Sequence, residues 1–391
     1  MAKAIPAIVT PEVLVWARNL DNISIDEVAK KMKTSVEKIQ EWESGITYPT
    51  LNQAKELAKF YRVPFVYFYL PDVPKKKKRL ETTDYRTIGN IGNDFFISRE
   101  LRWLLRDIED RRDAVLSIYE LENIQPQNFP VVLDKEANDD DIAKAIRELL
   151  GLTYEKQLRF RKSDNALSYC ISALEKNDVL VFQAAKIDPK EMRGLSIAYD
   201  IAPIIVLNRK EGVSARLFTL CHELVHIITR TSGICTDTLA DTVSQNQWEM
   251  RCNKIAGKVL VPISILSEHS AINTIRQYGL DDGAIMQMAR DFAVSREVIL
   301  HCLWEVDIID KTEYFDTLKR YTDEYKSFLA KKNQKNGFLP PHLDAGTQVG
   351  KLYARTVLNA FYTDKISARD ASSYLLNLKM KNFSKLERWC Y

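Results

Sequence analysis

The stretch RLFTLCHELVHII, residues 216–228, sets the strongest local constraint in the chain. It places His222 and His226 four residues apart with Glu223 directly after the first, in a chain that holds five histidines among 391 residues. The surrounding ARLFTLCHELVHIITR contains neither glycine nor proline, and Phe218, Leu220, Leu224, Ile227 and Ile228 supply an apolar surround. Such a segment is expected to be a helix, and on a helix positions i and i+4 stand one above the other on a single face.

Two imidazoles one turn apart can offer ring nitrogens to one tetrahedral ion, zinc above all, while Glu223 projects beside it towards water. A catalytic zinc site takes a third protein ligand and keeps one position for water. No third histidine follows at close range, which leaves Asp237, Asp241 and Glu249. Asp237 lies in the Gly/Thr-rich TSGICTDT, whereas Glu249 opens WEMRCNKIAGKVLVP, a helical segment able to pack antiparallel to the first. Glu249 is the preferred ligand and Asp241 the alternative. Asn253, four residues on, shares the face of Glu249 and could orient a histidine through its other ring nitrogen. Cys221 falls off the metal face and reads as a small buried hydrophobe.

Length and a 46% hydrophobic content allow more than one core, and no 18-residue apolar run is present, so a membrane span is not expected. Six cysteines without Cys-x-x-Cys spacing, and an N-terminus unlike a secretory signal, suit a cytoplasmic protein. Punctuation and charge divide the chain into four parts: a first domain over 1–74, a basic linker and connecting helix over 75–135, a mixed core over 136–268 and a helical region over 269–391. The linker opens with the basic run Lys75–Arg79. The β-rich runs DVLVFQA and LSIAYDIAPIIVLN belong to the core. Residues 202–208 fit either an internal strand or one that receives an extended peptide by strand addition. MARDFAVSREVILHCLW has a helix-turn-helix rhythm, with packing inside a helical region the preferred reading. His269, His301 and His342 have no ligand-like spacing.

Residues 23–64 run helix, tight turn, helix, glycine stop, helix. Ser24 and Ser35 sit at N-cap positions, with Glu27 completing a capping box. Val28, Ala29, Met32, Val36 and Ile39 form the inward face. This segment resembles the phage-repressor-type helix-turn-helix family, above all in WESGITYPT and the following LAKFYRVP. The resemblance implies that the second helix enters the major groove of double-stranded DNA, with Ser35, Glu37, Lys38 and Gln40 facing the bases. Residues 1–72 carry nine Lys+Arg and nine Asp+Glu. A neutral module with an acidic second helix leaves a protein-docking or dimerising role open beside DNA binding.

GLSIAYDIAPIIVLNRKEGVSARLFTLCHELVHII followed by WEMRCNKIAGKVLVP resembles the ImmA/IrrE family of metallopeptidases. The residues that carry the likeness are Asn208, Phe218, Thr219, Leu220, His222, Glu223, His226, Glu249, Asn253, Leu260 and Pro262, with DYRT at 84–87 and the N-terminal fusion. Cys252 stands where the family usually has alanine. The resemblance implies a regulatory protease whose zinc is held by His222, His226 and Glu249, with Glu223 as general base, and whose substrate is a transcriptional repressor. The expected fold is α+β: an all-α helix-turn-helix, a small zincin-like core with a short sheet, and a helical C-terminal region. A homodimer is among the expected assemblies. The alternative is a DNA-binding regulator or sensor whose metallopeptidase fold does little proteolysis.

Overall fold

A computed structural model of the chain describes residues 5–74, 98–231, 233–235, 247–332 and 339–391. The Lys75–Arg79 run, DYRT at 84–87, Asp237 and Asp241 lie outside the described residues. The chain divides into two compact units, Met1–Glu81 and Thr82–Tyr391.

The first unit is helical: α1 (Pro11–Asn19), α2 (Ile25–Met32), α3 (Val36–Glu43) and α4 (Leu51–Phe60), then a 3-10 turn over Phe65–Tyr69. Each start has a local cause. Ser24 and Glu27 form the capping box of α2, Ser35 accepts from the Lys38 N–H to open α3, and Thr50 with Gln53 caps α4. Lys33 takes the left-handed conformation (φ 52°) that turns α2 into α3. Val28, Ala29, Met32 and Ile39 are buried and Val36 packs against them, with Trp42 and Tyr61 at the centre. Arg18 ties α1 to α3, donating from Nε to Glu43 Oε1 at 2.7 Å and from Nη2 to Oε2 at 3.0 Å.

The described part of the second unit begins with a long helix, α5 (Arg99–Leu121), followed by α6 (Asp139–Leu150), α7 (Tyr154–Phe160) and α8 (Ser163–Glu175). Next come β1 (Leu180–Ala184), β2 (Gly194–Ile197), β3 (Ile204–Asn208), α9 (Val213–Ile228) and β4 (Gly233–Cys235). Then follow α10 (Gln247–Leu260), α11 (Ile263–Glu268), α12 (Ser270–Tyr278), α13 (Asp282–Asp291), α14 (Arg296–Glu305), α15 (Lys311–Lys332), α16 (Pro341–Val349), α17 (Lys351–Tyr362), α18 (Ala368–Tyr374) and α19 (Phe383–Cys390). No helix among the described residues is long and apolar enough to cross a membrane.

The four strands run in the order β1-β3-β2-β4, with β3 parallel to β1 and antiparallel to β2, and β4 antiparallel to β2. Residues 204–208 are therefore an internal strand, both edges of which are occupied. Strand addition at this segment, one of its two sequence readings, is ruled out by that pairing. The sheet is covered on both faces, as its continuous apolar runs require. Val181, Ile205 and Leu207 join the core beneath α8 and α9. Phe182, one residue out of phase, meets Tyr353 of α17 and the Arg111 guanidinium of α5.

The 288–304 segment with a helix-turn-helix rhythm is core: Ser295 caps α14, and Val298 through Leu303 are all buried. His301 packs against Trp304 and Tyr314, while His269 accepts from the Ala271 N–H at the start of α12.

The C-terminal helices are pinned to the sheet at Gly350, where α16 meets α17 with φ +78°, and a Cβ there would run into the Val181 carbonyl oxygen. The Leu352 N–H donates to the buried Glu175 Oε1 at 3.0 Å just beyond it. Gly350→Ala is expected to lower stability by about 1–3 kcal/mol through overpacking. An unchanged urea midpoint would contradict this account of the junction.

Candidate metal centre

Helix α9 is unusual in being buried without interruption from Leu217 to Ile228. A helix buried all round belongs inside a core, so its polar residues must find partners there or work as a site. Helix α10 runs antiparallel along it: His226 neighbours Trp248 and Glu249, while His222 reaches Asn253 further along. That pairing brings Glu249 to the histidines, as its position at the start of a second helix predicted.

His222 Nε2 and His226 Nε2 lie 3.2 Å apart, and they stand 3.0 Å and 3.5 Å from Glu249 Oε2. A tetrahedral ion bound at about 2.0–2.1 Å separates its ligand atoms by about 3.3–3.4 Å, so all three edges fit one. Among the described residues this is the single group of three metal-type side chains so placed. Two ring nitrogens at this distance repel unless a cation, a proton or a metal, sits between them.

The electrostatics agree with that demand. Burial opposes ionisation of Glu249, yet hydrogen bonds from His222 and His226 hold its carboxyl well below the usual range. Burial likewise acts against the His226 imidazolium, and Cys252 and the Glu249 carboxylate outweigh it, so His226 attracts positive charge well beyond an ordinary imidazole. A divalent cation would take the place of that proton.

The outer ring nitrogens are held as well. Asn253 Oδ1 accepts from His222 Nδ1 at 2.9 Å, which turns Nε2 towards Glu249. Asn253 was legible in the sequence from its spacing to Glu249. His226 Nδ1 lies 2.9 Å from Thr231 Oγ1, a contact that sequence reading missed.

Glu223 is fully buried, and two residues of β2 make room for it. Ser196 donates from its hydroxyl to Glu223 Oε2 at 2.6 Å. Gly194 faces the other oxygen so closely that a Cβ would strike Glu223 Oε1 and the Thr219 methyl. Oε1 itself has no hydrogen-bond partner among the described residues. Burial pushes the Glu223 carboxyl above the usual range, with His222, His226 and the Ser196 hydroxyl pulling the other way. Nothing in a single sequence distinguishes Ser196 from any other strand serine.

Asn208 contributes from a distance. Its amide donates to Met192 O at 2.8 Å and Ile187 O at 3.2 Å, pinning the loop that leads into Gly194. Tyr199 is not a candidate donor to a reacting group, since its ring lies under Arg112 and its hydroxyl engages Glu109. Cys221 is buried in the α9 core, which pushes its thiol up, as expected of a packing residue.

On α3 of the first unit, Ser35, Glu37 and Gln40 are exposed and Lys38 is half-buried. The Ser35 hydroxyl is occupied as a cap, and Lys38 pairs with Glu41 at 2.7 Å. Glu41 also accepts from the Thr47 hydroxyl.

Ser196→Ala is expected to cost about 1–3 kcal/mol near neutral pH by leaving a buried carboxylate oxygen unpaired. The serine stabilises the charged form, so the loss should shrink as pH falls and Glu223 takes up a proton. A destabilisation independent of pH in urea titrations would show that this hydrogen bond does not hold the charge.

Two comparisons with known proteins bear on this geometry. Residues 175–303 match the family model of the IrrE N-terminal-like domain, a peptidase family, and residues 14–68 match a helix-turn-helix model. The first match spans β1 to α14 and contains the whole cluster; the second contains α2, α3 and α4. No curated protein matches the chain. A metallopeptidase-like domain and a helix-turn-helix of DNA-binding type are thus combined in one polypeptide.

Proposed function

We propose that this chain, a metallopeptidase-like domain joined to a helix-turn-helix, is a zinc-dependent endopeptidase of narrow specificity. Its substrate is a regulatory protein, a transcriptional repressor by class, and its action controls gene expression. The observation that carries the reading is Glu223: a buried carboxylate with one oxygen held by Ser196, the other unpartnered, beside three converging ligand atoms. A purely structural core would have no use for that arrangement.

His222, His226 and Glu249 would hold the ion. When bound, zinc supplies a Lewis acid that brings the pKa of water towards neutrality and polarises a peptide carbonyl. Glu223 takes the proton from water on Oε1 and returns it to the leaving amine. Its raised proton affinity suits both halves of that task. Ser196 and Gly194 keep the carboxylate in place while Asn253 keeps His222 aimed. Among the described residues β4 is the outermost strand beside β2, and an extended segment of substrate would add along that side of the sheet. The helix-turn-helix brings the protein to double-stranded DNA through the exposed face of α3. The five described thiols, all buried and unpaired, suit a reducing cytoplasm.

One observation favours a second reading, a DNA-binding sensor with little proteolysis. His222, Glu223 and His226 are each at most 2% exposed, so a folded substrate cannot reach them without rearrangement. Purified protein is expected to carry one zinc per chain by elemental analysis. Glu223→Gln should keep the zinc and lose about 10²–10⁴-fold in cleavage of the cognate repressor. Zinc retention with no cleavage by the unaltered protein would favour the sensor; no zinc at all would defeat both readings of the cluster.

For the N-terminal unit, Gln40→Ala is expected to weaken binding to the cognate operator by about 1–3 kcal/mol in a titration at fixed salt. Unaltered sequence-specific affinity would remove α3 as the reading helix.

A further inference from the structure

Helix α9 ends in a cap that reaches back to one of its own histidines. Arg230 sits in the left-handed conformation (φ 56°), its N–H donating to Ile227 O at 3.3 Å, and the Thr231 N–H donates to His226 O at 2.9 Å. These two bonds form a Schellman motif, with arginine where glycine is usual. The motif places Thr231 so that its backbone meets the carbonyl of His226 and its hydroxyl meets the ring of the same residue, at 2.9 Å from Nδ1.

Proton accounting then leaves one arrangement. The Thr229 hydroxyl donates to Val225 O at 2.8 Å, which uses its only proton. The 3.0 Å contact between Thr229 Oγ1 and Thr231 Oγ1 must therefore be donated by Thr231. With its own proton spent, Thr231 can only accept from His226, so Nδ1 carries a hydrogen and Nε2 is the nitrogen left to face a cation. The reverse direction would set two oxygen acceptors against each other at 2.8 Å.

We propose that Thr229 and Thr231 are positioning residues: a two-hydroxyl relay, built by the helix cap and anchored on Val225 O, that fixes the tautomer and ring plane of His226 for a divalent cation. It rests on the proposed reading of His222, His226 and Glu249 as a metal centre and assigns a role to two side chains outside the ligand set. His222 has a side-chain amide from the facing helix for the same purpose, so the two ligands are oriented by unrelated means. The relay around His226 is entirely local, spanning residues 225–231.

The test is zinc affinity, measured on the full chain by competition with a fluorescent chelator for the unaltered protein and three variants. Thr231→Val is expected to weaken binding about 10–100-fold, within the range for lost partners of metal-bound histidines. Thr231→Ser keeps the hydroxyl and should stay within about threefold of the unaltered protein, well short of that range. Thr229→Val touches neither histidine, yet it removes the acceptor for the Thr231 proton and should weaken binding by about tenfold, the low end of the range. The spectrum of zinc-loaded, ¹⁵N-histidine-labelled protein should show a protected His226 Nδ1–H in the unaltered and Thr231→Ser proteins. Equal affinity of Thr231→Val and the unaltered protein, or a loss in Thr231→Ser as large as in Thr231→Val, overturns the relay alone. If Thr231→Val does not fold, an unchanged affinity in Thr229→Val does the same. An unaltered protein that takes up no zinc overturns the relay together with the metal centre.

Discussion

Everything at the centre of the second unit depends on the antiparallel packing of α10 against α9. One register places Glu249 on the two histidines and Asn253 on the outer nitrogen of His222. A slip of one residue along α10 would turn both side chains about 100° away from the cluster, since an α-helix advances 3.6 residues per turn. The rest of the unit holds that register. Helices α6 and α8 and strands β2 and β3 also pack α9, and α6 packs α10 as well. Arg251 of α10 reaches Asp139 at 2.7 Å, and Arg147 of α6 donates to Val259 O at 2.6 Å, so both ends of α10 are tied to α6.

Burial gives the cluster its chemistry. In water, two histidines and a glutamate would titrate near their ordinary values and bind a metal weakly. Held together in the core, the groups charge one another against the cost of burial: Cys252 and Glu249 draw a proton to His226, and hydrogen bonds from His222 and His226 keep Glu249 ionised. The same enclosure raises the proton affinity of Glu223 and makes its unpartnered oxygen costly to leave idle. Ligand cluster and base are one electrostatic unit, made by a polar strip on α9 and the Glu249 carboxylate of α10.

The helix-turn-helix unit poses a different electrostatic question. Its architecture has what the fold requires, with α2, α3 and α4 each started by a side-chain cap and Trp42 enclosed at the centre. Residues 1–72 are balanced in charge, and Lys38 on α3 is paired to Glu41.

Much of this was legible in the sequence because it is local. The i, i+4 spacing of His222 and His226 needs only a helix, and the caps Ser24, Ser35, Thr50 and Ser295 announce themselves by residue type and position. Glu249 and Asn253 were readable as a second amphipathic helix, though Asp241, outside the described residues, remained an alternative there. Tertiary structure decided what depends on long-range pairing. Residues 204–208 form an internal strand because β1 and β2 occupy both its edges, and no property of IIVLN reveals its neighbours. Gly194 and Ser196 matter only because β2 lies against Glu223, a contact across 27 residues. Thr231 falls between the two cases: its role is local, but it was hidden because arginine, which seldom adopts positive φ, stands where a glycine would have marked the cap. Local chemistry chose the groups, and packing decided which of them would be held together away from water.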